Sequence, residues 1–278
     1  MLTVRFWGVR GSIPTPGPNT VVYGGNTSCL EIRAGERLLI IDLGSGVHPF
    51  GEWLIENDLK KYGKIKADIF LTHTHWDHVM GFPMFTPVYI PGTELCITGS
   101  ASAENNSLQS IIENQLSSQY WPVQAEHLAA SIKYNQIKET TLELGDDLFI
   151  TSKFLNHPNL CLGYRIAYKG KSIATVYDHE PFSSDEENEK VRQFIKGADI
   201  VIHDAQYTQD EYASHKGWGH CSYDQVLKAA QGIGIGRLVL FHHEPSRKDK
   251  DLEQIEKSFA GMTNPKIVMA REALVMEA

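Results

Sequence analysis

One run of seven residues constrains this chain more than any other: Thr72-His73-Thr74-His75-Trp76-Asp77-His78, directly after the apolar strand Asp68–Leu71. On extended backbone, His73 and His75 project to the same side, two residues apart. If the chain then turns into a helix, Asp77 and His78 face a second centre close by. Imidazole and carboxylate without thiolate suit Zn²⁺, with Mn²⁺ and Fe as competitors. The bland alternative is a His-rich surface turn. It is disfavoured because the run follows a buried strand and further ligand types recur downstream.

The rest of the chain reads as α/β. Apolar runs at Leu38–Ile41, Ile69–Leu71, Leu148–Ile150, Ile200–Ile202 and Leu238–Phe241 predict strands, several ending in Asp or His. Helix-period stretches lie between them at Val47–Leu59, Glu187–Ile195 and Tyr223–Ala230. Polar side chains at strand ends are where such folds build sites. Residues 100–132 differ: they are polar, rich in Gln, Asn and Ser, and end in Tyr120-Trp121-Pro122-Val123. They predict a helical insertion bordering the site mouth or a dimer interface, unless the rings only close a local core. The expectation is one domain, 1–278, interrupted at about 100–132.

Composition excludes several classes. With Lys+Arg 26 against Asp+Glu 34, the net charge is −8, a poor balance for holding a phosphate backbone. No apolar run approaches the ~18–20 residues of a membrane span. The opening residues 1–7 alternate like a strand, with no basic-then-apolar leader. Cys29, Cys96, Cys161 and Cys221 form no CxxC pair, which disfavours a Cys-based zinc finger and a disulfide scaffold. A cytoplasmic protein with reduced thiols is expected.

The HxHxDH pattern resembles the metallo-β-lactamase superfamily, and the resemblance covers nearly the whole chain. The family continues with a third His, a bridging Asp and a last His, each at a strand end. Here those are His157 after Leu148–Leu155, Asp178 after Ser172–Val176, and His242 after Arg237–Phe241. The resemblance implies a four-layer αββα sandwich. It implies two metal ions, Zn²⁺ first, with His73, His75 and His157 on one, Asp77, His78 and His242 on the other, and Asp178 bridging. A bridging hydroxide would attack phosphorus in line. Asp42, in Asp42-Leu43-Gly44-Ser45-Gly46, either supports the metal loop or caps a helix. His243 competes with its neighbour His242, but adjacent strand residues point to opposite sides, and the family's end-of-strand His favours His242. His179 has no family role to assign, and His48 reads as structural.

Three motifs point to the tRNase Z-like phosphodiesterase branch. Asp77 stands where many β-lactamases of this fold place Cys. Tyr23-Gly24-Gly25-Asn26-Thr27-Ser28-Cys29 looks like that branch's opening. His203-Asp204-Ala205-Gln206 resembles its HEAT motif, with Asp for Glu, and Gly219-His220-Cys221-Ser222 its second His-Ser/Thr motif. The expected catalytic residues are Asp77, His220 as proton donor to the leaving oxygen, and Asp204 assisting it. The tRNA-processing enzymes carry a long arm between the third His and the bridging Asp; here only 21 positions separate His157 from Asp178. A small phosphodiester is therefore the expected substrate, a cyclic nucleotide or related cyclic phosphate. The implied chain is a homodimer with no membrane partner and with nucleic acid disfavoured. The alternatives are a tRNase Z-like RNA 3′-end endonuclease and a glyoxalase II-type thioesterase, the latter opposed by the His203 and His220 motifs.

Overall fold

The computed structural model describes residues 1–100 and 106–278. Two seven-stranded mixed sheets stack face to face. The first runs β14 (Val275–Glu277), β1 (Leu2–Gly8), β2 (Cys29–Ala34), β3 (Arg37–Ile41), β4 (Lys66–Phe70), β5 (Glu94–Gly99), β6 (Ser131–Gln136). The second runs β13 (Lys266–Met269), β12 (Arg237–Phe241), β11 (Ile200–Asp204), β10 (Lys171–Val176), β9 (Cys161–Tyr168), β8 (Leu148–Leu155), β7 (Thr141–Glu143). From β3 to β6, and from β10 to β13, neighbours are parallel; the remaining pairs are antiparallel.

Strand periodicity sorts side chains between layers. Along β11, Ile200 and Ile202 enter the core between the sheets with Phe6, Ile41, Tyr164 and Phe241, while Val201 faces the outer helices. Those helices are α5 (Asp185–Ile195), α7 (Tyr223–Ala230) and α8 (Asp249–Ser258), which supply Val191, Val226 and Leu252. Outside the first sheet, α1 (Val47–Leu54) supplies Val47, Phe50 and Leu54. The result is the expected αββα sandwich.

Three sequence expectations shift in detail. The helix over Val47–Leu59 is broken: α1 passes through a π-helical turn, Ile55–Leu59, into α2 (Lys60–Tyr62). The predicted insertion includes residues 101–105, which lie outside the described residues. Its described part holds α4 (Leu108–Glu113) and two 3₁₀ turns, with Leu108, Ile112 and Leu116 buried against the first sheet. Ser131 and Ile132 already belong to β6. Trp121 packs on that same core and donates its Nε1–H to Tyr89 Oη, while Tyr120 stays exposed. Among the described residues no helix is long and apolar enough to cross a membrane.

The parallel strands place their C-terminal ends along one edge. Asp42 follows β3, His73 lies just past β4, Asp178 past β10, Asp204 ends β11, and His242 follows β12. Asp42, Asp178 and His242 have φ of 62°, 45° and 61°. Left-handed backbone at a non-glycine residue costs energy and clusters at functional sites.

Candidate metal centre

Two groups of donor atoms meet at that edge and share one carboxylate. Ligating atoms of His73, His75, His157 and Asp178 all lie within 4.8 Å of one another, as do those of Asp77, His78, Asp178 and His242. Asp178 faces both ways. Its Oδ2 lies 3.5 Å from His73 Nε2 and 3.8 Å from His157 Nε2. Its Oδ1 lies 3.3 Å from both His78 Nε2 and His242 Nε2. Asp77 Oδ2 is 3.2 Å from the same two nitrogens. His75 Nδ1 and His157 Nε2 are 3.0 Å apart.

The backing hydrogen bonds decide which lone pairs face inward. His157 Nδ1–H donates to the Gly219 carbonyl at 3.1 Å. His242 Nδ1–H donates to Gln206 Oε1 at 3.0 Å, and His78 Nδ1–H to Asp42 Oδ2 at 2.7 Å. Each leaves Nε2 as a ligand lone pair, the usual arrangement around a bound metal. His73 Nε2, His78 Nε2 and Asp178 Oδ1 are buried yet align with no hydrogen-bond partner. Buried polar atoms left unpaired are rare, and these three point into one space.

Electrostatics favour a cation there. Burial would raise the Asp178 pKa, but the imidazoles of His242, His78 and His73 outweigh it and hold the carboxyl well below its usual range. Burial would lower the His78 pKa, yet Asp77, Asp178 and Asp42 push it well above the usual imidazole value. In the other group, burial keeps His73, His75 and His157 low and neutral. Three carboxylates converging on one buried imidazole demand positive charge, and divalent cations on these N and O donors meet that demand.

Asp42 holds the metal loop rather than capping a helix, since α1 begins five residues later. It accepts from Thr72 N–H at 2.8 Å, from Thr72 Oγ1–H, and from Ser28 Oγ–H at 3.1 Å. The Asn26-Thr27-Ser28 stretch buckles the neighbouring turn: Ser45 N–H donates to Thr27 Oγ1 and Ser45 Oγ–H to Asn26 Oδ1. His243 turns away and donates Nε2–H to the Ala270 carbonyl at 2.8 Å. His179 accepts from Asn156 N–H at 3.1 Å. Burial pushes both down to about 3. His48 is exposed.

His220 stands beside the shared carboxylate. Its ring stacks on His242 with centroids 5.0 Å apart, and its Nδ1–H donates to Asp204 Oδ2 at 2.6 Å. Cys221 N–H fixes the other Asp204 oxygen at 3.2 Å. Ligating atoms of Asp178, Asp204, His220 and His242 also fall within 4.8 Å of one another. Burial alone would lower the His220 pKa, but Asp204, then Asp178 and Asp77, raise it to about 9.

Four participants were given no role from sequence: Thr72, Gln206, Ser12 and Gly219. Ser12 N–H donates to Asp77 Oδ2 at 2.7 Å. A Cβ at Gly11 would sit 2.4 Å from the His242 ring, and one at Gly219 2.2 Å from His157 Nδ1. Gly11 and Gly219 were the available signal, because close backbone approach requires them, and Gly217 takes a left-handed φ of 90°.

A model of the beta-lactamase superfamily domain matches residues 56–243, a span holding every ligand named above as well as Asp204 and His220. The chain belongs to the beta-lactamase superfamily. Curated relatives of this superfamily member include ribonuclease Z of Streptococcus equi subsp. equi, 24% identical over 85% of this chain and 89% of the relative. Ribonuclease Z of Pyrococcus horikoshii is 23% identical over 91% and 90%. Among solved structures, the metallo-β-lactamase fold protein YhfI from Bacillus subtilis aligns with TM-score 0.68 at 19% identity, covering 100% and 99% of the two chains. A diphosphatase from the PhnP family aligns at 0.70 and 16% identity, covering 100% and 98%. The short form of human tRNase Z aligns at 0.69 and 18% identity, covering 99% and 98%. These structural likenesses carry the fold.

Proposed function

We propose that this superfamily hydrolase is a dinuclear metal-dependent phosphodiesterase acting on a small phosphodiester, a cyclic nucleotide or related cyclic phosphate, as a single catalytic domain. The observation that carries the reading is the His220–Asp204 pair set against the shared carboxylate. Two divalent cations, Zn²⁺ by the donor set, would sit on His73, His75, His157 and on Asp77, His78, His242, with Asp178 between. Bound there, they supply Lewis-acid stabilisation of the phosphoryl oxygens and acidify water.

The chain's own groups do the rest. Asp204 fixes the His220 ring through Nδ1–H, leaving Nε2 without a protein partner among the described residues. His220 carries a proton at Nε2 and gives it to the leaving oxygen, which matters most for a poorly leaving alkoxide. Asp42, Gln206 and the Gly219 carbonyl hold the ligand imidazoles in one tautomer and orientation. Ser12 N–H holds Asp77.

A second reading, an RNA 3′-end endonuclease, is favoured by the ribonuclease Z relatives. Against it, the segment between His157 and Asp178 holds only β9, β10 and their turn. A hydrolysis screen separates the readings: bis-p-nitrophenyl phosphate, 2′,3′-cyclic nucleotides, a thioester and a precursor tRNA, with metal content measured alongside. Turnover of the cyclic nucleotides with two bound metals is expected. Cleavage of precursor tRNA alone would transfer the chain to the second reading.

A further inference from the structure

Glu180 is a buried carboxylate that the proposed chemistry does not use, yet three donors converge on it. Tyr212 Oη–H, on α6 (Gln209–His215), donates to its Oε1 at 2.6 Å. Gly217 N–H reaches both oxygens at 2.9 Å, and Gly219 N–H reaches Oε2 at 3.0 Å. Glu180 N–H in turn donates to the carbonyl of Asn156, the residue before His157. The two glycines flank Trp218. The backbone on either side of this indole is therefore pinned to a buried anion, while the residue itself is 60% exposed.

The indole is also supported from behind. His215 meets it edge-on at 4.8 Å, Tyr207 stacks on His215 at 4.5 Å, and His220 meets Tyr207 edge-on at 6.1 Å. A second exposed indole, Trp76, sits between the ligand residues His75 and Asp77 and is 72% exposed. Its backbone is fixed as the first residue of α3 (Trp76–Val79), where its carbonyl accepts from Met80 N–H at 2.7 Å. His157 links the two: one ring nitrogen faces His75 and the other donates to Gly219. Trp76 and Trp218 thus each lie one residue from a group touching His157, beside the solvent-open part of the centre.

An exposed aromatic ring is ordinarily a cost; one held on rigid backbone beside a reaction centre is a preorganised contact surface. We infer that Trp218 and Trp76 form a stacking platform for the nucleobase of a mononucleotide substrate, with Glu180 as the positioning residue for Trp218. This rests on the phosphodiesterase reading and names its substrate class. A planar base fits because its π-face matches an indole and is recognised without added charge. The chain's net charge of −8 suits a ligand with one phosphodiester better than a polyanion.

The test compares 2′,3′-cyclic AMP with glycerol 1,2-cyclic phosphate, which has the same five-membered ring and no base. In Trp218→Ala, the ratio of kcat/KM for the nucleotide over the glycerol ester should fall about 5- to 100-fold, mostly through KM. Trp218→Phe should restore most of it, and Glu180→Gln should lower the ratio less than Trp218→Ala. Trp76→Ala, with metal content verified, should act in the same direction. An unchanged ratio overturns the platform. So does a base-dependent effect confined to a precursor tRNA run in parallel, or conversion of a wild-type dimer to monomer by Trp218→Ala in sedimentation velocity. If wild type cleaves neither cyclic phosphate, the phosphodiesterase reading fails, and the platform is judged by binding alone. AMP should then quench the fluorescence of metal-loaded wild type more than that of Trp218→Ala, with glycerol phosphate inert in both. Equal quenching in the two proteins overturns it.

Discussion

The two halves of the metal centre share Asp178 but differ in exposure and support. His73, His75 and His157 come from the loop after β4 and the loop after β8; His73 and the His157 side chain are buried, and His75 is exposed. Asp77, His78 and His242 are buried. Behind the sealed half stand Asp42, Gln206 and the Ser12 N–H, a charged group, an amide and a backbone donor. Behind the open half the contacts are the Thr72 hydroxyl on His73 and the Gly219 carbonyl on His157. A buried ligand set has to be paid for with partners for every polar atom; a set at the mouth can use water. The sealed half therefore belongs to the fold as much as to the site, and the other half meets solvent at His75.

The largest effect should come from the residue common to both. Asp178→Ala is expected to strip both metals and to lower turnover of every phosphodiester by about 10⁴-fold or more, as when one member of a catalytic unit is removed. Retention of one metal at full occupancy would show the halves to be independent.

Next in size is His220→Ala, which should slow a cyclic nucleotide by about 10²–10⁴-fold with both metals in place. A p-nitrophenyl diester, whose leaving group needs no proton, should suffer far less. Equal slowing of both substrates would make His220 a phosphate-binding group.

The contrast in burial predicts a contrast in stability. Removing one partner of a buried ion pair costs about 3–5 kcal/mol, whereas an exposed substitution usually stays within about 0.5 kcal/mol. Metal-free His78→Ala should therefore lose far more stability than metal-free His75→Ala in urea unfolding. Similar midpoints for the two would contradict the division into sealed and open halves.

The smallest effect concerns pH. Because His220 is raised from 6.5 to about 9 in the metal-free fold, its pairing contributes stability that is fully present below about pH 6.5 and is lost as pH rises through about 9. The stability advantage of metal-free wild type over His220→Gln should shrink across that window. A difference that grows with pH would reverse the assignment of the proton.

Much of this was legible because the ligands are tied to short local patterns. HxHxDH is contiguous, and His157, Asp178 and His242 follow predicted strands in the order that the resemblance to the metallo-β-lactamase superfamily implies. Asp42 was ambiguous for a physical reason: a carboxylate before a glycine-rich turn looks the same whether it caps a helix or holds an imidazole, and only its contacts with His78 and Thr72 decide. Gln206 lies inside the His203-Asp204-Ala205-Gln206 motif, but its role was silent, as was that of Glu180, because their partners are His242 and the Gly217–Gly219 backbone, at least 36 positions away. The π-helical turn at Ile55–Leu59 has no side-chain signature in an otherwise helical pattern. The aromatic pair at Tyr120-Trp121 split, one ring closing a core and the other exposed, because adjacent residues rarely share an environment.

The measurement closest to the central claim is elemental analysis of active protein after exhaustive gel filtration in metal-free buffer. Seven ligands shared through one bridging carboxylate predict two equivalents of transition metal per chain, most of it Zn²⁺, with phosphodiesterase activity tracking the second equivalent. Fully active protein holding less than one equivalent would contradict the account.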